Sequence, residues 1–232
     1  MTRRPILLWD LPTRLAHWSL AALLLASVVS VKIGGNAMVW HGRCGLAILG
    51  VVAFRVMWGL VGSTYARFAY FLPTPAAIRA YLRGHWRGIG HNPLGALSVL
   101  ALLSLMAGQA LAGAFANDDI AFYGPLYHAV SGELSGWLTG LHRQAEWIVY
   151  GLVALHVGAV MFHTHVKKDN LIVPMITGIK LVDDRAIAPA RGGGIVPLVV
   201  ALAVAGLAVW AVSGGLLPAP PEAAPAASTP AW

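Results

Sequence analysis

The sequence predicts an all-α membrane protein, a four-helix transmembrane bundle with a fifth transmembrane helix at its C-terminal end. Three observations predict it. Of 232 residues, 58% are hydrophobic and only 11% charged, against about 25% charged in soluble domains. The apolar residues are gathered into five blocks rather than spread. The charges between the blocks alternate in sign from one connection to the next.

The blocks cover about 15–33, 38–62, 93–116, 140–163 and 195–217, each long enough to cross roughly 30 Å of hydrocarbon as a helix. In that medium only a helix satisfies its own backbone within one segment. The first block follows Arg3-Arg4, so a signal peptide has to be weighed. The block is long for a signal h-region and no A-x-A site follows it, so we expect a retained helix. Connections 64–92 (Arg67, Arg79, Arg83, Arg87) and 164–194 (Lys167, Lys168, Lys180, Arg185, Arg191) are basic. Connection 117–139 carries Asp118, Asp119 and Glu133 with no Lys or Arg. The positive-inside rule then puts the N-terminus in the cytoplasm, the acidic connection outside and the C-terminus outside. The expected location is the bacterial inner membrane, multi-pass.

Within the first basic connection, residues 75–88 set Ile78, Tyr81 and Leu82 on one side and Arg79, Arg83 and Arg87 at every fourth position. This is either a basic helix lying on the inner surface or an ordinary charged connector. From Pro218 to Trp232 the chain is rich in Pro and Ala, as in an extended disordered tether. The expected units are a four-helix domain over 1–180, a connector and fifth helix over 181–217, and the tail over 218–232.

Composition also excludes some classes. The net charge of +7 sits between apolar blocks, which marks topology rather than nucleic-acid binding. One cysteine, Cys44, rules out an intrachain disulfide, an Fe–S cluster and a thiolate zinc site. No C-x-x-C-H motif is present, so covalently attached haem is excluded too. Cys44 reads as a small packing residue beside His41.

The nine histidines carry the chemistry. His17 lies near the cytoplasmic end of the first helix and His41 near the outer end of the second. His142 lies near the outer end of the fourth, and His156 fourteen residues further in. Fourteen residues advance a helix by about 21 Å and return within about 40° of the same face. His142 and His156 therefore point into the bundle at two depths, where His142 meets His41 and His156 meets His17. Two imidazoles facing each other from different helices suit six-coordinate haem iron. We expect two non-covalent b haems, with these four histidines as metal ligands, hence a haem-binding bundle.

Arg55 lies fourteen residues after His41, so it faces the bundle at the inner level. A buried membrane arginine needs an anionic partner, and a haem propionate is suitable. Arg14 could pair with the other propionate. Gly45, one turn after His41, removes a side chain where a flat ring must approach. Glu146, one turn after His142, either takes a proton from a quinol or pairs with Arg143 or a ring N–H. His91 has no partner of equal depth and reads as interfacial or propionate-bonded. His163 and His165 are expected at the cytoplasmic surface or lining a quinone site, and His85 and His128 in loops.

Several motifs resemble one family in order. Trp9-Asp-Leu-Pro-Thr-Arg-Leu-Ala-His17-Trp18, Trp40-His41-Gly-Arg-Cys-Gly45, Phe54-Arg55-Val-Met-Trp58-Gly59, Gly90-His91-Asn-Pro-Leu-Gly95, Leu141-His142, Leu155-His156 and Val166-Lys-Lys-Asp169-Asn170-Leu171 are similar to the bacterial cytochrome b561 / Ni–Fe hydrogenase b-type cytochrome family. The resemblance covers about residues 7–180. It implies a four-helix core, two b haems on the same four histidines, and electron transfer between a membrane quinone and a partner. The fifth helix and tail fall outside it.

The function expected is that of an electron-transfer subunit of an oxidoreductase rather than a stand-alone enzyme. It would join the quinone pool to a periplasmic c-type cytochrome or hydrogenase, with the acidic outer loop steering a basic partner. One alternative is a superoxide:quinone oxidoreductase, which needs a cationic outer entrance such as Lys32, Arg43 and Arg143 could form. Another is a histidine-based metal or proton transporter, or an anchor subunit.

Overall fold

The computed structural model describes residues 3–120, 122–183 and 187–218. Five helices in it are long and apolar enough to cross a membrane: Leu11–Ile33, Gly35–Val61, Pro93–Ala114, Gly132–His165 and Ile195–Gly215. The predicted all-α membrane class is therefore observed. In chain order the elements are β1 (Arg4–Leu7), α1 (Leu11–Ile33), α2 (Met38–Val61), α3 (Phe68–Phe71), α4 (Pro75–Leu82), α5 (Pro93–Ala114), α6 (Gly132–His165), α7 (Ile172–Thr177), β2 (Ile179–Val182) and α8 (Ile195–Trp210). A π-helical turn, Ala211–Gly215, continues α8.

Local sequence explains where the long helices begin. Asp10 caps α1 by accepting from the Thr13 amide at 2.7 Å. Asn92 caps α5 through the Gly95 amide at 2.8 Å, and Ser131 caps α6 through the Leu134 amide at 3.3 Å. Each side chain satisfies an amide that the first helical turn leaves unpaired. Pro in the first turn of α1 and of α5 forgoes an N–H that has no intrahelical acceptor there.

Two expectations are corrected. Helix α6 starts at Gly132, eight residues before the expected 140, because Glu133, Ser135, Thr139 and two glycines lower the hydropathy of 132–139 without breaking helix geometry. At 34 residues it is about 51 Å long, more than the membrane needs, and its first turns take up part of the expected outer connection. The surface helix over 75–88 is shorter, Pro75–Leu82, because Gly84 turns to φ +75° and ends it. Arg79 lies in that helix and Arg87 does not. Outside the membrane segments, β1 pairs antiparallel with β2, Arg4 opposite Val182, tying the N-terminus to the second basic connection. The expected tail, apart from Pro218, lies outside the described residues.

Between β2 and the bundle, Gly178 is fixed by geometry. Its φ is +84° and a Cβ there would meet the Trp9 carbonyl at 2.7 Å. Its own carbonyl accepts from the Leu8 and Trp9 amides, which seats the chain just before α1.

Helix α2 is the hub, packing on α1, α5 and α8, while α5 packs on α6. At Gly50 a Cβ would meet Val209 at 2.8 Å, which marks how closely α8 approaches α2. Helix α6 keeps its backbone away from α1 and α2 and meets them through side chains. Midway along the bundle an apolar layer of Ile48, Val52, Met106 and Val149, with Leu20, Leu24 and Val153 against it, joins all four core helices. A second cluster of Phe54, Trp58 and Ala201 secures α8 near the basic end.

Trp58 ties that end together. It is fully buried, stacks on Phe54 at 5.8 Å and donates to Asp10 Oδ2 at 2.9 Å. A Cβ on Gly193, just before α8, would meet its ring at 2.8 Å. Trp58→Ala is therefore expected to lose about 3–5 kcal/mol in a detergent unfolding titration. A variant as stable as the parent would show that Trp58 does not hold this end together.

Candidate functional site

The four histidines selected by spacing meet as two pairs at two depths. Near the basic end His17 of α1 faces His156 of α6, with ring centroids 6.2 Å apart and planes at 47°. Near the acidic end His41 of α2 faces His142 of α6, with centroids 5.9 Å apart and planes at 87°. Each of the four is half-buried. Two imidazoles on one metal, with about 2 Å per metal–nitrogen bond, have ring centroids roughly 6 Å apart. Both pairs have that spacing.

Hydrogen bonds orient the acidic-end rings. His41 Nδ1 lies 3.0 Å from both the main-chain carbonyl and the hydroxyl of Ser27. His142 Nδ1 lies 3.0 Å from the main-chain carbonyl of Gln109, whose side-chain amide donates to the His142 carbonyl at 3.1 Å. A carbonyl only accepts, so Nδ1 carries the ring proton and Nε2 keeps its lone pair for a metal. A Cβ at Gly113 would press on the His142 ring at 3.1 Å, so a larger residue there would push the ring by a few tenths of an ångström. At the basic end His17 Nδ1 is buried with no hydrogen-bond partner. Among the described residues none reaches His156 either.

Arg55 is buried at the level where the sequence placed it, 6% exposed. Its guanidinium stands over Phe68 at 5.2 Å, and its Nη1 has no partner. Asp10 is the nearby carboxylate, but its oxygens already accept from the Thr13 amide and Trp58 Nε1. A buried cation with an unused donor suits an acidic substituent of a bound group. Arg14 instead donates to the Ile176 carbonyl, and its Nε is buried without a partner. A Cβ at Gly45 meets nothing within 4 Å, so half-buried open space lies one turn from His41.

The remaining expectations resolve as follows. Glu146 pairs with neither Arg143 nor a ring N–H. It holds Lys32 at 2.7 Å and accepts from Tyr150 at 2.5 Å, which bridges α1 to α6 across the gap between them. His163 bonds to the Tyr81 hydroxyl at 3.0 Å. His91 sits between Trp9 at 4.7 Å and Phe71 at 4.4 Å, with Nδ1 buried and unpartnered. Burial, with Arg55 nearby, pushes its pKa down to about 3, so the ring is neutral at any physiological pH. It lines a cavity of about 240 Å³ with Tyr70, Phe71, Trp86 and Pro93.

Sequence reasoning missed Ser27, Gln109 and Gly113. A signal existed for Gln109, the one amide side chain in α5. Ser27 and Gly113 resemble ordinary small membrane residues and gave none.

Among the described residues no three His, Cys, Asp or Glu side chains converge as a metal site would require. The donor set is two facing imidazole pairs with open space beside them and a buried arginine. That fits a flat macrocycle held through its metal better than a closed metal site.

Comparison with known proteins agrees. The prokaryotic cytochrome b561 family matches residues 8–178. The probable Ni/Fe-hydrogenase 1 B-type cytochrome subunit of Escherichia coli (strain K12) is 20% identical over 215 residues, 74% of this chain and 89% of the relative. The probable Ni/Fe-hydrogenase B-type cytochrome subunit of Rhizobium leguminosarum bv. viciae is 21% identical over 228 residues, 79% and 92% respectively. No solved structure matches. With the family matched over most of the chain, and five spanning helices around the histidine pairs, the chain belongs to the prokaryotic cytochrome b561 family of membrane electron-transfer proteins.

Proposed function

We propose that the chain holds two b haems, one between His17 and His156 and one between His41 and His142. It would carry electrons across the bacterial inner membrane between the quinone pool and a periplasmic redox protein. The observation that carries this reading is the pair of imidazole couples at 6.2 and 5.9 Å, at opposite depths of one bundle. Bound haem b supplies a reversible one-electron iron couple.

The residues do the rest. The four imidazoles hold the metal at fixed depth, and Ser27 and Gln109 orient two of them. Arg55 offers its free donor to a propionate. Arg14, with its Nε unpartnered, is a weaker candidate for the second. The layer of Ile48, Val52, Met106 and Val149 separates the two levels and excludes water between them.

The basic connections face the cytoplasm in this reading, as positive-inside topology requires. At the opposite end the loop after α5 packs Phe122 on Gly42, next to His41, and carries Asp119 exposed in the same loop. That end suits docking of a partner with a basic face. A hydrogenase-type protein is the first candidate, because the relatives named above are b-type cytochrome subunits of Ni/Fe-hydrogenases, and a c-type cytochrome the second. The superoxide reading is weakened because Lys32 is neutralised by Glu146.

For the quinone, the cavity beside His91 is the favoured position. Its walls are aromatic, and the unpartnered Nδ1 of the neutral His91 can donate to a carbonyl oxygen. Glu146, the outer alternative, is already engaged.

A pyridine haemochrome assay of the purified chain is expected to give two b haems. His17→Ala and His156→Ala should each lose one, and His41→Ala and His142→Ala the other. A parent without b haem, or losses that do not follow the pairs, would overturn the ligand assignment. His91→Phe should keep both haems and raise the KM for a short-chain quinol about five- to tenfold, the worth of one hydrogen bond. An unchanged KM would move the quinone elsewhere.

A further inference from the structure

The two histidine pairs differ in a way that ligation alone does not require. At the acidic end both rings have an acceptor at Nδ1. For His41 it is the carbonyl and hydroxyl of Ser27, and for His142 the carbonyl of Gln109, all at 3.0 Å. At the basic end His17 Nδ1 is buried and unpartnered, and among the described residues no hydrogen bond reaches the His156 ring.

We infer that Ser27 and Gln109 make the acidic-end site the lower-potential of the two, so that the bundle carries a built-in gradient toward its basic end. The inference rests on the four-histidine ligation proposed above. An N–H that donates to a carbonyl shifts electron density toward the opposite ring nitrogen and makes it a stronger donor. Stronger donation stabilises the more oxidised iron and lowers its potential. Rings without an acceptor lack that push.

Fixed charge acts in the same direction. Arg55 is a buried cation at the basic-end level, with no ion pair formed among the described residues, and a nearby cation favours the reduced state. At the acidic end the corresponding cation, Lys32, is neutralised by Glu146 at 2.7 Å. Arg43 and Arg143 are exposed there, where solvent screens them. Ser27 and Gln109 are thus positioning residues that act through the histidines.

The test is a redox titration of the purified holoprotein followed in the visible haem bands, with haem content measured on each sample. The parent is expected to show two components. Ser27→Ala removes the hydroxyl acceptor, and Gly113→Ala presses on the His142 ring, which a Cβ would approach to 3.1 Å. Each should shift the lower-potential component upward and leave the other in place, and Ser27→Thr should restore the parent value. Two haems with a single unresolved potential, or a shift confined to the higher component or shared equally, would overturn the inference. Fewer than two haems in the parent would instead refute the ligation reading on which it stands.

Discussion

Depth is the constraint on which the rest of the molecule depends. A residue on a spanning helix cannot slide along the membrane normal without breaking the backbone hydrogen bonds that let the helix be there. Its level is fixed by its position in the chain. Helix α6 supplies two imidazoles about 21 Å apart on one face, and α1 and α2 supply one each at the matching levels. Facing rings about 6 Å apart then keep α6 away from both partners. The close packing has to be made elsewhere, between α2 and its neighbours α1, α5 and α8 and between α5 and α6. In the apolar layer at Ile48, Val52, Met106 and Val149 the four core helices meet through packed side chains.

Polar groups in such a bundle are costly unless satisfied, which makes the satisfied and the unsatisfied ones equally informative. Asp10 serves three partners at once, capping α1, accepting from Trp58 and facing Arg55 electrostatically. It couples the start of α1 to the end of α2, so the level of His17 is tied to that of Arg55. Among the described residues the open groups near the basic end include Arg55 Nη1, Arg14 Nε, His17 Nδ1 and His91 Nδ1. The two arginines are the ones whose chemistry calls for an anion, and Arg55 is the more deeply buried of them. The Lys32–Glu146 pair at the far end of α1 has no such vacancy. It braces α1 against α6 where their backbones stand apart.

Much of this was legible in the sequence because membrane helices turn chain position into depth. The five spans, the two histidine pairs and the burial of Arg55 followed from hydropathy and the fourteen-residue interval alone. The misses share a cause. Residues 132–139 mix polar and small residues with Leu134, Trp137 and Leu138 and are helical, so hydropathy started α6 too late. Gly84 stops the surface helix through a local dihedral that periodicity does not register. The partner of Glu146 came from another helix, Lys32 on α1, where sequence distance offered only its neighbour Arg143. Beside the Ser27 hydroxyl, the acceptors at Ser27 and Gln109 are main-chain carbonyls, and every residue has one. Which carbonyl lies within 3.0 Å of a ring nitrogen is a matter of packing between helices, not of residue type.

That last class of contact also bears on direction. With the basic end in the cytoplasm, as proposed, an electron moving from the outer level to the inner one travels toward the negative side. The full membrane opposes it by about 2.3 kcal/mol per 100 mV. A relay of about 21 Å across roughly 30 Å of hydrocarbon meets about two thirds of that opposition. Two equivalent sites would therefore favour the outer one for the electron whenever the membrane is energised. In the proposed reading, carbonyl acceptors at the outer rings and a buried arginine at the inner level would both act the other way, holding the electron inward. The same four ligands with the acceptors exchanged would suit outward transfer instead. In the proposed two-haem reading, ligand spacing, symmetric in depth, would set up the relay, whereas the hydrogen bonds behind the ligands would bias the level at which the electron rests.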